Sequence, residues 1–382
     1  MRNKIFVVIT MMLVTLLSLS FTVTQNGNVY ADTNSARSMI VIEAKSNRIL
    51  MSHNENEQRA NASTTKIATF LTVLKHCNDF DEVVSVDDRA IGISGTSIYL
   101  KKGEKLTVKE LLYGMMLVSG NDAATALALH ISNSVQEFAE LMTKEVKNAG
   151  ALNTTFKNPH GLDAVGHKTT AYDLAQITRE CYKYPLFEEI VTTENIKISN
   201  GENGYRYLKN KNKLLWTLNG CNGVKTGFTN NAGRCLVSSC KRNNMHLICV
   251  VLSCGPMFEE SAMHFEECFS RYHMSNILPA YNYIKTIPVE NSKEQSVKVY
   301  SQRGFMYPLT DEEEFKIKIE TNTEDTLKAP IKKEQIVGEI KIYLDNHLLF
   351  SEKIYTMESV KSNNLDEHIK RIISNWWTNE NK

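Results

Sequence analysis

The chain has 382 residues, 42% hydrophobic and 8% aromatic, enough to bury a sizeable core over two or three domains. Lys and Arg number 44 against 43 Asp and Glu, a net +1 that argues against a surface built to follow nucleic acid or coat an anionic membrane throughout. Seven Pro and 18 Gly exclude collagen-like and Pro/Gly-rich disordered classes.

Residues Met1 to Val23 depart from that average. Arg2 and Lys4 precede an uncharged apolar run from Ile5 to Phe21, and Val29-Tyr30-Ala31 supplies the small-x-small ending that signal peptidase prefers. Residues 1–31 are expected to be a cleaved signal peptide. The mature chain would then be exported, either secreted or held at the outer face of the cytoplasmic membrane. An uncleaved anchor is the alternative, because the run is near the lower limit for spanning. Cleavage leaves 42 basic against 43 acidic residues, a net −1.

Ser38 to Ala44 and Arg48 to His53, joined by Lys45-Ser46-Asn47, read as a β-hairpin. Ile67, Phe70, Leu71 and Leu74 then follow helical spacing. Thr107 with Glu110, and Ser134 with Glu137, form capping-box patterns ahead of two further apolar helical stretches, and Gly150 is a stop signal for the second. A helix over Thr170 to Tyr182 contains Asp173, expected as a capping or structural acid. Cys235 to Ser239 and His246 to Ser253 read as strands across the polar turn Lys241 to Asn244. Strands at both ends with helices between predict an α/β or α+β domain over residues 32–278, its terminal strands joining one sheet.

From Pro279 the texture changes. Val297 to Tyr300, Phe315 to Ile319 and Glu339 to Leu344 alternate between charged loops, and Asp345-Asn346 turns the chain into Leu348 to Tyr355. A small β-rich domain is expected over 279–357. In residues 358–382, Leu365, Ile369, Ile372, Ile373, Trp376 and Trp377 share one helical face, flanked by Lys370 and Arg371. This amphipathic helix is expected to lie in a membrane interface, with docking on the β domain as the alternative.

Eight cysteines are scattered from Cys77 to Cys268 without a CxxC, which argues against a zinc ribbon or a thioredoxin-like site. Cys249 and Cys254 read as buried hydrophobes, and the thiol pairing stays open. His264, Cys268 and His273 lie close together but no fourth ligand is arranged nearby, so no metal and no cofactor are expected.

Three short motifs occur in order: Ser63-Thr64-Thr65-Lys66, Ser119-Gly120-Asn121 and Lys225-Thr226-Gly227. Ser63 falls at a helix start with Lys66 one turn on, so the two share a face. A serine hydroxyl needs a base, and lysine serves only when neutral, which requires burial or a second cation nearby. Lys225 is the obvious second cation. The helix N-terminus at Ser63 suits the oxyanion formed on attack. Ser119-Gly120-Asn121 interrupts two helical stretches and can project its polar groups into a cleft. Lys225-Thr226-Gly227 reads as an edge strand with free backbone groups for an extended peptide. Its Lys and Thr suit a terminal carboxylate, and Gly227 permits close approach.

This combination resembles the low-molecular-mass penicillin-binding proteins, the serine D-alanyl-D-alanine carboxypeptidases of peptidase family S11. The resemblance also rests on Ala62 to Ile67, Val118 to Ala123, Asn158-Pro159-His160-Gly161-Leu162 and Val224 to Thr229, and it spans the mature chain. It implies a penicillin-recognising serine transpeptidase-like fold, an antiparallel sheet flanked by helices with a helical subdomain. It also implies that Ser63 attacks the carbonyl between two terminal D-alanines of a peptidoglycan stem peptide, with Lys66 as base. The N–H groups of Ser63 and Phe228 would form the oxyanion hole. Ser119 would relay a proton, Asn121 would fix Lys66 and the substrate amide, and Lys225 and Thr226 would bind the carboxylate. β-Lactams would acylate Ser63. A serine β-lactamase is the nearest rival, but between Ala151 and His167 the sequence offers only Asp163 as an acid over the acyl bond. A non-catalytic wall-binding or β-lactam-sensing module is a third reading, weakened by the three intact motifs. His160 and His167 suggest a Ser-His-Asp triad, yet no G-x-S-x-G surrounds any serine.

Overall fold

Ser38–Glu43 (β1) and Ile49–His53 (β2) form the expected hairpin, in a computed structural model that describes residues 35–201 and 204–363 with Ile369 and Ile373. The expected signal peptide lies outside the described residues. So does the C-terminal helix, apart from Ile369 and Ile373, which are helical and exposed. After the hairpin come α1 (Lys66–His76), β3 (Val83–Ser85), β4 (Lys105–Thr107), α2 (Val108–Leu117), α3 (Asn121–Ile131), α4 (Val135–Asn148), α5 (Ala171–Cys181) and α6 (Pro185–Thr192). A two-stranded ribbon, β5 (Asn195–Ser199) and β6 (Tyr205–Lys209), leads through α7 (Leu214–Thr217) to β7 (Cys221–Thr229), β8 (Gly233–Arg242), β9 (Met245–Leu252) and α8 (Met257–Arg271).

The main sheet has the order β2-β1-β9-β8-β7, antiparallel at every pairing, so the first strand and the late strands do join one sheet. Alternation along each strand divides its residues between two layers. Ile40, Ile42, Val237, Ile248 and Val250 pack with Phe70 and Leu71 of α1 and Leu174 and Ile177 of α5. Met39, Val41, Leu236, Leu247 and Val251 pack with Phe265 and Cys268 of α8. Both faces are covered, which is why β9 reads as an unbroken apolar run. Each such side chain contributes about 1.5–3 kcal/mol by burial.

Local signals explain the ends of these elements. At α2 both arms of the Thr107–Glu110 capping box form. At α4, Ser134 accepts from the Glu137 N–H, but the Glu137 carboxylate turns to the N–H and side-chain amide of Asn133, so only half the box closes. The turn after β8 is tighter than the sequence suggested. Only Asn243 and Asn244 remain between the strands, at φ 49° and 64°. Two left-handed residues suit the right-handed twist of a hairpin, and Asn tolerates them.

The β-rich part contains β10 (His273–Leu278), β11 (Asn282–Glu290), β12 (Ser296–Ser301), β13 (Phe305–Leu309), α9 (Asp311–Glu314), β14 (Ile317–Thr323), β15 (Leu327–Lys328), β16 (Ile336–Leu344) and β17 (His347–Thr356). Its sheet has the order β14-β16-β17-β12-β11-β15 around a core that includes Ile287, Val299, Ile342 and Ile354. β10 pairs with β13, so pairing carries this part back to His273, ahead of the change of texture at Pro279. The strand expected from Phe315 begins at Ile317 instead. Thr310 and Glu313 close a capping box over one helical turn, which leaves Phe315 91% exposed.

Arg48 ties the first hairpin to this part. Its guanidinium donates to the Pro308 carbonyl, pairs with the Glu313 carboxylate, and lies 5.2 and 5.1 Å from the ring centroids of Tyr272 and Tyr307. Removing it leaves a largely buried carboxylate without its cation. Arg48→Ala is therefore expected to destabilise the protein by about 1–3 kcal/mol, measurable as an earlier thermal or urea transition.

Candidate active site

Ser63 does not begin the α-helix proper. It sits in a 3-10 turn, Ala62–Thr65, directly ahead of α1, and Lys66 is the first α-helical residue. The turn is held by Asn61, whose amide donates to Thr64 Oγ1 and Thr65 Oγ1, both at 3.0 Å. Ala62 is forced to φ 47°, a costly conformation for a residue with a Cβ. The loop Asn158 to Leu162 presses on this turn: a Cβ on Gly161 would lie 1.9 Å from the Ala62 carbonyl oxygen.

Lys66 is fully buried, with Nζ 3.1 Å from Ser63 Oγ. Nζ also donates to Asn121 Oδ1 and to the His160 carbonyl, each at 2.7 Å. Both of those partners are obligate acceptors. A neutral amine has two N–H bonds and one lone pair, so satisfying both acceptors points the lone pair at the Ser63 hydroxyl. Burial holds the Lys66 ammonium well below its usual range, reinforced by the positive fields of Lys225 and Lys211, while Asp122 opposes the shift. The Asp122 carboxylate itself accepts from the N–H groups of Ile98 and Leu100 and the Ser97 hydroxyl, which fixes the loop facing the cleft.

Ser119 and Asn121 occupy the break between α2 and α3. Ser119 adopts φ 67°, and its buried Oγ has no hydrogen-bond partner among the described residues while the residue lines the cleft. A strained residue with an unpaired hydroxyl suits a group that waits for a ligand. Asn121 commits its oxygen to Lys66 and one amide hydrogen to the Ser94 carbonyl, 2.6 Å away, leaving the second hydrogen for another acceptor.

β7 is an edge strand of the main sheet, as expected from Lys225-Thr226-Gly227. It crosses the Ser63 turn so closely that a Cβ on Gly227 would meet the Ser63 and Thr64 nitrogens at 3.0 and 3.1 Å. Thr226, Gly227 and Phe228 line the cleft. Lys225 does not: it is buried on the Lys66 side of the strand, and its Nζ donates to the Thr226 carbonyl at 2.9 Å. Burial, then the Lys211 charge, lowers Lys225 to about 7.

The histidines do not form a triad. His160 Nδ1 accepts from the Leu162 N–H, and His167 Nε2 is 2.8 Å from Thr65 Oγ1. Burial lowers them to about 3 and about 4, so both are neutral props of the loop. Asp173 is structural: its carboxylate accepts from the Asn153 N–H and the Thr154 hydroxyl, while its own N–H donates to the Thr170 cap.

The cleft, about 500 Å³, also contains Lys211, Arg234, Met257 and Phe258, none of them singled out from the sequence. Lys211 sits between buried Asn210 and Asn212, and its N–H donates to the Leu117 carbonyl at 3.1 Å. The only sequence signal was the alternation of Lys and Asn from Lys209 to Lys213, which matches no motif. Arg234 lies opposite Phe228 on β8 and enters the cleft through that register. Among the described residues no cluster of His, Cys, Asp and Glu is arranged to hold a metal ion.

Comparison with known proteins agrees with this architecture. A family model described as D-alanyl-D-alanine carboxypeptidase, peptidase family S11, matches residues 24–255, and one described as penicillin-binding protein 5, C-terminal domain, matches residues 272–362. The chain is similar to the D-alanyl-D-alanine carboxypeptidase DacF of Bacillus subtilis, 31% identical over 89% of this chain and 90% of that protein. It is also similar to DacA of Escherichia coli, 30% identical over 90% of this chain and 89% of its relative. Among solved structures, penicillin-binding protein 5 of Haemophilus influenzae superposes with a TM-score of 0.70 at 28% identity, over 86% of this chain and 98% of that one.

Proposed function

The chain belongs to the D-alanyl-D-alanine carboxypeptidase family of serine peptidases, and on that premise we propose that it removes the terminal D-alanine from peptidoglycan stem pentapeptides through an acyl-enzyme on Ser63. The observation that carries this reading is the 3.1 Å contact between Ser63 Oγ and a fully buried lysine amine whose other two partners are acceptors.

Ser63 Oγ attacks the carbonyl carbon of the penultimate D-alanine, and its proton passes to Lys66 Nζ. The N–H groups of Ser63 and Phe228 take the developing oxyanion. The C–N bond then breaks, and the Ser119 hydroxyl delivers a proton to the departing amine. Ser119 is replenished from the Lys66 ammonium. Water attacks the remaining ester, releasing a peptide one residue shorter and free Ser63. A β-lactam enters the same first step, but its opened ring keeps the leaving amine attached.

Thr226 Oγ1 faces the terminal carboxylate, Lys225 supplies charge from behind the strand, and Lys211 and Arg234 add cations from the cleft wall. Asp163 accepts from the hydroxyl of the cleft residue Thr229 at 3.0 Å, in keeping with a tie rather than a free base for rapid deacylation. The apolar start of the chain supports export, and the amphipathic sequence of residues 358–382 supports contact with the membrane surface.

Incubation with a peptide ending in D-Ala-D-Ala should release one D-alanine per chain end, blocked by prior treatment with penicillin. An intact peptide, or fast multiple turnover of penicillin, would sink this assignment in favour of a binding module or a β-lactamase.

The cation at Lys225 also sets an alkaline limit. With Lys225 at about 7, raising the pH through that value removes its charge from the free enzyme. The rate constant kcat/KM for a carboxylate-ended peptide is thus expected to decline above about pH 7. An arginine there stays charged, so Lys225→Arg should move this limb upward by at least two pH units.

A further inference from the structure

Cys221 and Cys240 are register partners on β7 and β8, the two strands at the catalytic edge of the main sheet. Beside them the Lys241 N–H donates to the Gly220 carbonyl at 2.8 Å, while the Cys221 N–H turns away to the Leu218 carbonyl at 3.1 Å. That pattern marks a non-hydrogen-bonded position of the antiparallel ladder, where opposed Cα atoms approach to about 4.5 Å and side chains on one face come closest. A disulfide needs Cα atoms about 4.4–6.8 Å apart, the range such a position supplies, and the register of the two strands shifts only beyond it, between Cys221 and Gly223.

The side chains share a face. Cys240 belongs to the core layer under α8, and Cys221 packs against the edge of that layer. Cys240 Sγ reaches toward the start of β7, lying 3.3 Å from the place a Cβ on Gly220 would take. Of the eight thiols, Cys221 is the one that is not buried. A reagent from solvent therefore meets Cys221 first, and Cys240 is the thiol directly across from it.

We propose that Cys221 and Cys240 are an oxidisable pair that closes to a cross-strand disulfide by exchange with a small-molecule disulfide. The Cys221 thiolate attacks one sulfur of the small disulfide and expels the other as a thiol, leaving a mixed disulfide. The Cys240 thiolate then attacks the Cys221 sulfur and expels the second small thiol. The protein loses two protons and two electrons, and the small disulfide is reduced to two thiols. Burial raises both protein thiols, Cys240 to about 11, so exchange quickens as the pH rises. The bond fastens β7 to its single neighbour at the strand entrance, four residues before Lys225. It is independent of the proposed peptidase chemistry.

The test uses the full chain, reduced and then incubated with hydroxyethyl disulfide in mildly alkaline buffer. The expected product is lighter than the reduced protein by two hydrogen masses. Non-reducing tryptic digestion should join Leu214–Lys225 to Cys235–Lys241. The link should persist in Cys235→Ser and vanish in Cys240→Ser, where Cys221 keeps the mercaptoethanol adduct. The oxidised wild type should melt about 5 °C above the reduced form, reversibly with dithiothreitol. A stable adduct on wild-type Cys221, an unreacted Cys221, a link to any other cysteine, or equal melting temperatures would overturn the proposal.

Discussion

Ser63→Ala is expected to lose both D-alanine release and covalent labelling by penicillin, with kcat falling by roughly 10⁴- to 10⁶-fold. Its Oγ is the cleft hydroxyl within 3.1 Å of Lys66 Nζ, and the other two contacts of that nitrogen are acceptors with no proton to give. The competitor in the cleft is Ser119, whose hydroxyl has no partner among the described residues. The fold should survive, because the 3-10 turn is fastened by Asn61, Thr64 and Thr65 rather than by Ser63. Mass spectrometry of the penicillin-treated variant, with a melting curve as control, checks both parts. A penicillin adduct on the folded variant would show that Ser63 is not the nucleophile and would point to Ser119.

Lys66→Arg should be nearly as damaging, costing at least about 10²–10⁴-fold in kcat/KM, because guanidinium stays protonated and cannot accept the serine proton. The subtler test concerns the charge around that amine. Burial is the main force disfavouring the Lys66 ammonium, and the fields of Lys225 and Lys211 add to it. Removing Lys211 leaves the burial in place but withdraws one repelling charge, so the Lys66 ammonium becomes easier to keep. In the proposed mechanism only the neutral amine takes the serine proton. In Lys211→Ala the acid limb of the kcat/KM profile is therefore expected to move to higher pH, while the plateau reports any loss of substrate binding. A limb that stays in place would show that Lys211 does not act on the base.

Much of this site was legible because its chemistry is local in sequence. Ser63 and Lys66 are one turn apart, so helical geometry brings them together, and Ser119 and Asn121 flank a single glycine in the break between α2 and α3. Lys225 was also recognisable as a second cation, because its strand carries glycines that permit close approach. What remained hidden depends on backbone atoms or on distant register. The second acceptor that orients Lys66 is the carbonyl of His160, and a carbonyl leaves no trace in residue identity. Lys211 reaches the cleft because its chain segment is pinned to the end of α2, a contact between positions 117 and 211.

Short-range spacing and period-2 or period-3.6 patterning suffice to set Ser63 beside Lys66, to mark the edge-strand motif and to give the α/β character with a β-rich C-terminal part, and the motifs suffice for the family. Only the three-dimensional packing buries Lys225 on the Lys66 side of its strand, brings Lys211 and Arg234 into the cleft and sets Cys221 opposite Cys240. The placement of Arg234 and of the two cysteines turns on strand register, where one step moves a side chain to the opposite face, and that of Lys211 on the bond of its loop to Leu117. No local pattern carries that information; it is set by how the two core layers fill on either side of the sheet.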